Sequence, residues 1–427
     1  MLFEPARHEI LQPFDWDEKC VRETIARIVE DTSAAFTPDT LWPAHPLDVE
    51  SDAGSAPALT PLYFGAAGVI WSLHYLNAVG AARTHNGWLE QLDPIRPRNR
   101  AWLAAEGFEA DASFLMGDLP ILMLRYAHAP TPSLEARLAE LIAGNMDHPT
   151  RELMWGAPGT LLAACFLFEL TRNERWAALF RDTAAHLWKQ LQWSDEHGCH
   201  FWTQDLYGKR VTYLDGVHGF VATASPLIRG RNLLSAADWS RWQDAITNTV
   251  GRTATWEYGK VNWRAQLDST GTSNDRLLMQ FCHGAPGFVT CLANLPDTTL
   301  GDLLVAAGEA VWDAGPIAKG ASLCHGTAGN GYTFLALYRR TKDAIWLDRA
   351  RAFAMHSIHQ SESDAARYGR LRYSLWTGDL GVAIYLFDCL RGVAAFPTLD
   401  VFYPPHSIAA WSSVATASAP THAPRAG

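Results

Sequence analysis

The sequence predicts an all-α protein in which an inner ring of buried helices sits inside an outer ring of amphipathic ones. Three observations carry that prediction. A small turn with glycines three residues apart recurs along the chain, at Gly65 and Gly68, Gly156 and Gly159, Gly216 and Gly219, Gly284 and Gly287, Gly326 and Gly329, and Gly378 and Gly381. A degenerate copy stands at Gly117-Asp118-Leu119-Pro120, where proline replaces the second glycine. Each turn opens a run that is apolar on nearly every side, such as Val69-Ile70-Trp71-Ser72-Leu73 or Val382-Ala383-Ile384-Tyr385-Leu386, the mark of a helix buried all round. Between these runs lie segments with charge on one face, at 175–192, 236–253 and 346–359.

Taken in order, residues 1–61 read as an accessory outer helix and loop. Residues 48–61 and 194–213 read as loops, and the tail from Ser407, rich in Ala, Ser, Thr and Pro, is expected to be disordered. A chain of 427 residues would ordinarily divide into two domains. The repeat argues for one, spanning 1–405, with 406–427 as the tail. Glycines at the inner-helix starts let the backbone approach a shared central space, into which the helix N-termini would aim unpaired N–H groups.

Hydrophobic content of 48% with 19% charged residues fits a soluble globular protein with a large core. The net charge of -10 argues against nucleic acid or an anionic membrane surface as partner, since both require a basic face. No basic and apolar leader opens the chain and no apolar run reaches the roughly 18 residues of a membrane span, so a soluble, cytoplasmic protein is expected. The seven cysteines are odd in number and scattered, which disfavours a disulfide framework. Cys165, Cys291 and Cys389 lie within apolar helical runs and read as core.

Two cysteines stand apart. The segments Phe281-Cys282-His283-Gly284-Ala285-Pro286-Gly287 and Leu323-Cys324-His325-Gly326-Thr327-Ala328-Gly329 are near copies and supply thiolate and imidazole, the ligand types zinc prefers. If the two turns are neighbours in the ring, their pre-glycine residues converge on one rim. A set of two cysteines and one histidine leaves the fourth tetrahedral position open, as in catalytic zinc sites. A closed structural site that includes His283, or two buried cysteines beside core histidines, are the other readings.

These paired segments and the glycine scaffold resemble the lanthionine synthetase C-like (LanC-like) family over residues 62–400. The stretch Lys319-Gly320-Ala321-Ser322-Leu323-Cys324-His325-Gly326 and the later Phe396-Pro397-Thr398-Leu399-Asp400 are particularly specific. The resemblance implies an α/α toroid of seven inner and seven outer helices, with Zn2+ held by Cys282, Cys324 and His325. It implies addition of a thiol to dehydroalanine or dehydrobutyrine in a peptide or protein. The thiol is a cysteine of the same peptide in the cyclases and glutathione in the eukaryotic-type relatives. The unsaturated residue would come from a separate dehydratase, from damage, or from phosphate elimination in the same site.

Residue by residue, the resemblance makes His218 the general acid and Glu152 its partner, where cyclases carry aspartate and the glutathione-using branch carries glutamate. His283 follows that branch as a proton shuttle or supporting residue, and Lys319 matches a lysine there that could bind a carboxylate or phosphate. The cyclases' arginine four residues before the first zinc cysteine is replaced by Leu278, leaving Arg276 as the nearest cation for substrate binding. The chemistry itself is consistent: a free thiol of pKa about 8.5 is mostly protonated at neutral pH, and zinc deprotonates it. Attack on the β-carbon then creates an enolate that needs a proton at the α-carbon.

Two rival readings remain at this stage. An α/α-barrel glycosidase would use two rim carboxylates from among Asp118, Glu152, Asp215 and Asp379. A non-catalytic LanC-like protein would hold zinc and glutathione while leaving His218 dispensable.

Overall fold

The computed structural model describes residues 1–48, 58–84, 87–108, 111–268, 276–296, 299–405, 407–408 and 411. Among these residues fourteen α-helices follow one another: α1 (Glu18–Ala34), α2 (Ala66–Ala78), α3 (Leu92–Ala105), α4 (Leu119–His128), α5 (Pro132–Gly144), α6 (Ala157–Thr171), α7 (Glu174–Gln190), α8 (Phe220–Arg229), α9 (Ala236–Arg252), α10 (Ala285–Leu292), α11 (Gly301–Ala314), α12 (Thr327–Thr341), α13 (Ala344–Tyr368) and α14 (Asp379–Arg391). Each even-numbered helix packs on the next even-numbered one, and α14 packs back on α2, which closes an inner ring of seven. The odd-numbered helices lie outside, each against the inner helices beside it.

The two rings are built by different local rules. Five outer helices carry the side-chain cap that a solvent-facing helix start favours: Asp17, Thr131, Asn173, Ser235 and Asp343 each accept from a first-turn N–H. Six inner helices have glycine at that position, with no side-chain cap. At α2, α8, α12 and α14 first-turn N–H groups are satisfied instead by carbonyls of the preceding loop, as where Thr327 N donates to Gly320 O at 2.9 Å, Ala328 N to Ala321 O at 3.1 Å and Gly329 N to Ser322 O at 3.2 Å; at α10 the Asn262 side chain accepts from Ala285 N at 2.7 Å. This corrects the expectation that the inner N-termini offer unpaired N–H groups to the central space; at such turns the loop has already taken them.

Where a turn keeps its second glycine, this folding-back requires it. A Cβ on Gly159, Gly287 or Gly329 would come within 2.2, 2.1 or 1.7 Å of the carbonyl oxygen of the loop residue six positions earlier. The pair at 216 and 219 is out of register with the rest. Gly219, not Gly216, caps α8, and Phe220 N reaches back to Tyr213 O as Thr327 N reaches Gly320 O. Gly216 has another job, since its face lies against Gly287 and the Phe281 carbonyl of the neighbouring turn.

With that register, the residue just before the capping glycine, or before Gly117 at α4, runs around the ring as Phe64, Met116, Trp155, His218, His283, His325 and Thr377. The residues one position earlier are stitched to one another through their backbones. Tyr63 N donates to Leu115 O (3.0 Å), Leu115 N to Met154 O (3.3 Å), Cys282 N to Cys324 O (3.0 Å), Cys324 N to Trp376 O (2.9 Å) and Trp376 N to Tyr63 O (3.0 Å). Below this rim the ring is filled by the segment after α14. Phe396 stacks on Phe281 with ring centres 4.4 Å apart, and Thr398 accepts from the Trp376 indole at 3.1 Å.

Three small hairpins decorate the helices: β1 (Gln192–Ser194) with β2 (Cys199–Phe201), β3 (Gln204–Leu206) with β4 (Lys209–Val211), and β5 (Ala254–Glu257) with β6 (Lys260–Trp263). The 194–213 stretch is therefore paired strand, not irregular loop. Strands of three residues are too short for an alternating pattern to register. Of the expected loop at 48–61, positions 49–57 lie outside the described residues, as does most of the tail. Trp411 is described, and it packs on Tyr126 while donating to Ala127 O at 3.3 Å. Residues 7–9 run beside residues 315–318, with Ala318 N on Arg7 O and Glu9 N on Pro316 O.

Candidate metal centre and active site

The hydrogen bond from Cys282 N to Cys324 O sets two rim turns side by side, so their equivalent side chains meet. The two sulfurs and one ring nitrogen of His325 lie within 4.8 Å of one another. Tetrahedral zinc with Zn–S bonds near 2.3 Å holds its sulfurs about 3.8 Å apart, so this donor set fits the ion after a shift of an ångström or less. Both cysteines are buried. A hydrogen bond from the Cys282 thiol, helped by Tyr63, pulls the Cys324 thiol below its ordinary range. The same hydrogen bond, together with burial, pushes Cys282 well up. Two thiols sharing a proton in this way are ligands prepared to exchange it for a cation. Burial lowers His325, keeping the imidazole neutral as a ligand must be.

Beside the sulfurs stand two histidine–carboxylate pairs. Glu152, fully buried, accepts from Met154 N (2.8 Å), Trp155 N (2.6 Å) and His218 Nδ1 (2.8 Å). Asp215, also fully buried, accepts from Val217 N (3.2 Å), His218 N (2.9 Å) and His283 Nδ1 (2.8 Å). Each carboxylate caps its own turn and fixes an imidazole, leaving Nε2 for the site. Burial works against protonation of His218, but the Glu152 hydrogen bond and the Glu152 and Asp215 charges outweigh it and raise the ring's pKa. In His283 burial is likewise overcome, by Cys282 and Asp215, which bring it to about 9.

The fold thus brings Cys282, Cys324, His325, His218, Glu152 and His283 together. Lys319 lies near enough for its charge to act on Cys324 and His325, and lines a cavity with His45, Ser322, Asp364, Arg370 and Arg372. Arg276 is more than half exposed and directs its ion pair to Glu4 (3.3 Å), not to any member of the cluster. Four contributors were not picked out from sequence as parts of this site, Tyr63 beside Cys324 among them. Gln280 donates to Cys282 Sγ at 3.0 Å, and Arg7 Nη2 reaches Gln280 Oε1 at 3.4 Å across 273 positions of chain. Asp215 was weighed only as a glycosidase carboxylate. Its signal was present, since it precedes Gly219 by four residues as Glu152 precedes Gly156, but reading Gly216 as the turn's first glycine hid it.

The carboxylates of the sugar reading are all committed elsewhere. Asp118 is clamped by Arg96 (2.9 Å) and Arg100 (2.5 Å), and Asp379 by Ser361 and the Arg372 N–H. Glu152 and Asp215 hold histidines, so no facing pair is left for glycoside chemistry.

A closed double ring of helices with paired cysteines and a histidine on one rim defines the LanC-like class. The chain belongs to it: the family model for lanthionine synthetase C-like protein matches residues 56–401. Among curated relatives, glutathione S-transferase LANCL1 of Danio rerio is 37% identical over 131 residues, 29% of this chain and 32% of the relative. LanC-like protein GCL1 of Arabidopsis thaliana is 32% identical over 142 residues, 31% of this chain and 32% of the relative. The aligned part spans about a third of each relative's length. Nisin cyclase shares the α/α toroid, with a TM-score of 0.55 at 14% identity over 92% of this chain and 97% of the cyclase. Among the described residues no helix is long and apolar enough to cross a membrane.

Proposed function

We propose that the protein adds a thiol to the β-carbon of a dehydroalanine or dehydrobutyrine residue in a peptide or protein, with zinc held by Cys282, Cys324 and His325. The observation that carries this is the meeting of those three ligands on the rim that also carries His218, braced by Glu152. Zinc, when bound, lowers the pKa of a thiol entering its open position. The chain's own residues do the rest. Gln280 holds Cys282 and Tyr63 holds Cys324, each by a side-chain hydrogen bond. His218, with Nδ1 fixed by Glu152, delivers a proton from Nε2 to the α-carbon after the carbon–sulfur bond forms. His283 on Asp215 supplies a second proton-holding group on the same face, and Lys319 is placed to hold an anionic group of the thiol substrate.

Glutathione is the favoured thiol over a peptide cysteine. Glu152, His283 and Lys319 all follow the glutathione-using pattern, and the zebrafish relative's name supports it. The unsaturated residue comes from a separate dehydratase, from damage, or from phosphate elimination at the same site. The cytoplasm is the expected setting, because all seven cysteines are unpaired.

The test is incubation of the zinc-loaded protein with glutathione and a dehydroalanine peptide, read by mass spectrometry. The expected result is an adduct that His218→Ala and chelation both suppress. No adduct above the enzyme-free control would overturn the reading. An adduct unaffected by His218→Ala would remove that residue from the chemistry.

A further inference from the structure

The seven rim positions are not mixed at random. His218, His283 and His325 are consecutive around the mouth, and so are Phe64, Met116 and Trp155. The mouth therefore has a reactive arc and an apolar arc, which meet where the turn before α6 adjoins the turn before α8. The apolar arc carries an aromatic roof: Phe108 stacks on Trp155 with centres 4.7 Å apart, and Tyr207 projects over the junction from the β3–β4 turn. The Tyr207 hydroxyl accepts from Trp155 Nε1 at 3.1 Å, and its ring stands edge-on to His218 at 6.4 Å. The residue is nevertheless 60% exposed.

The backbone at Tyr207 has φ of 53°, a left-handed conformation that a bulky side chain rarely adopts and that hairpin turns ordinarily give to Asn or Gly. The molecule holds an internal control for this. The β5–β6 turn has the same Tyr-Gly sequence, with φ of 49° at Tyr258 and 76° at Gly259, but Tyr258 is 96% exposed. The turn type alone thus does not put an aromatic ring against the site; the placing of the β3–β4 hairpin does.

The direction of the chemistry decides what meets this surface. On the reading above, the thiol enters at the sulfurs and the α-carbon must come within reach of His218. Of the directions in which the substrate peptide can leave that point, the one across the apolar arc passes over the neighbouring turn, where Trp155 and Tyr207 lie. We propose that Tyr207, with the aromatic surface of Trp155 and Phe108 behind it, receives an apolar or aromatic side chain flanking the dehydroamino acid and is a specificity-determining residue. This rests on the thiol-addition reading.

The experiment uses two peptides that differ only in the residue next to dehydroalanine, Phe or Asp, competed against each other with zinc-loaded protein and glutathione. It is paired with Kd values, from fluorescence anisotropy, for unreactive analogues carrying alanine in place of dehydroalanine. The parent is expected to favour the Phe peptide by about tenfold in kcat/KM and in Kd. Tyr207→Ala should cut that preference to about threefold or less, Tyr207→Phe should retain it, and Tyr258→Ala should behave as the parent. Should Tyr207→Ala fold poorly, Tyr207→Asn suits the turn and removes the ring all the same. Equal affinity of the parent for both peptides, or full discrimination by a folded variant lacking the ring, overturns the proposal. Absence of adduct with any peptide would count against the thiol-addition reading, while the anisotropy arm would still decide this one.

Discussion

The turns before α2, α4 and α6 share a backbone with those before α8, α10 and α12 and present opposite chemistry. Both sets fold a loop back onto the start of an inner helix, glycine-capped in all but α4, and tie into the rim; one set ends in Phe64, Met116 and Trp155, the other in three imidazoles. The difference teaches that the scaffold is specified by glycines and backbone, while the sulfurs and imidazoles of the candidate site come from the two residues just ahead of the cap. Changing the first kind of residue should therefore hurt equally in either set, and changing the second should not.

The largest effect should come from the glycines. Gly159→Ala in the apolar set and Gly329→Ala in the reactive set each drive a Cβ into a loop carbonyl, at 2.2 and 1.7 Å. Each should cost more than about 4 kcal/mol in thermal or urea unfolding. A large loss in one with tolerance in the other would show that the turns are not equivalent.

Next come the matched positions Cys324 and Leu115, two residues before their turns' first glycines. Cys324→Ala should abolish stoichiometric zinc and lower thiol addition by about a thousandfold or more, while far-UV circular dichroism keeps most of its helical signal. Leu115→Ala should do the reverse, losing about 2–5 kcal/mol of stability with zinc content intact. Collapse of helicity on chelation would make the metal structural and erase the distinction.

His218→Ala should lower kcat by about 10²–10⁴ with zinc still bound. A smaller effect follows from its partner. Because Glu152 helps hold the His218 pKa above its usual range, the proton donor persists further into alkaline solution, and activity should fall as pH rises through that raised pKa. Glu152→Gln removes the charge, so the alkaline limb of the kcat profile should move to lower pH, with about a tenfold loss of rate near neutrality. An unmoved limb would assign the titration to another group.

Much of this was legible in the chain. The glycine spacing and the runs apolar on every side led to the ring of buried helices, because a helix with no polar face has nowhere else to go. Cys282 and Cys324 were legible because identical turns put them at one height on one rim. What was hidden depended on distance or register. Asp215 was masked by Gly216, a glycine kept for contact with Gly287 and not for capping. Arg7 reaches Gln280 only because residues 7–9 run beside 315–318, a pairing without periodicity to announce it. The satisfied N–H groups of the inner helices could not be foreseen either, since the carbonyls that take them belong to loops whose path the residue types leave undetermined.

Closure of the inner circle, with α14 against both α1 and α2, bears on how the molecule is made. Contacts between parts so remote in sequence form slowly, and until they form the inner helices expose oily surface on every side. Phe396 packs against Phe281 and Trp376 from beyond α14, so the floor beneath the two sulfurs is laid by a segment that follows every helix of the ring. A chain shortened ahead of position 396 would lack the ring on which Phe281 and Trp376 pack, and with it the support under the two sulfurs.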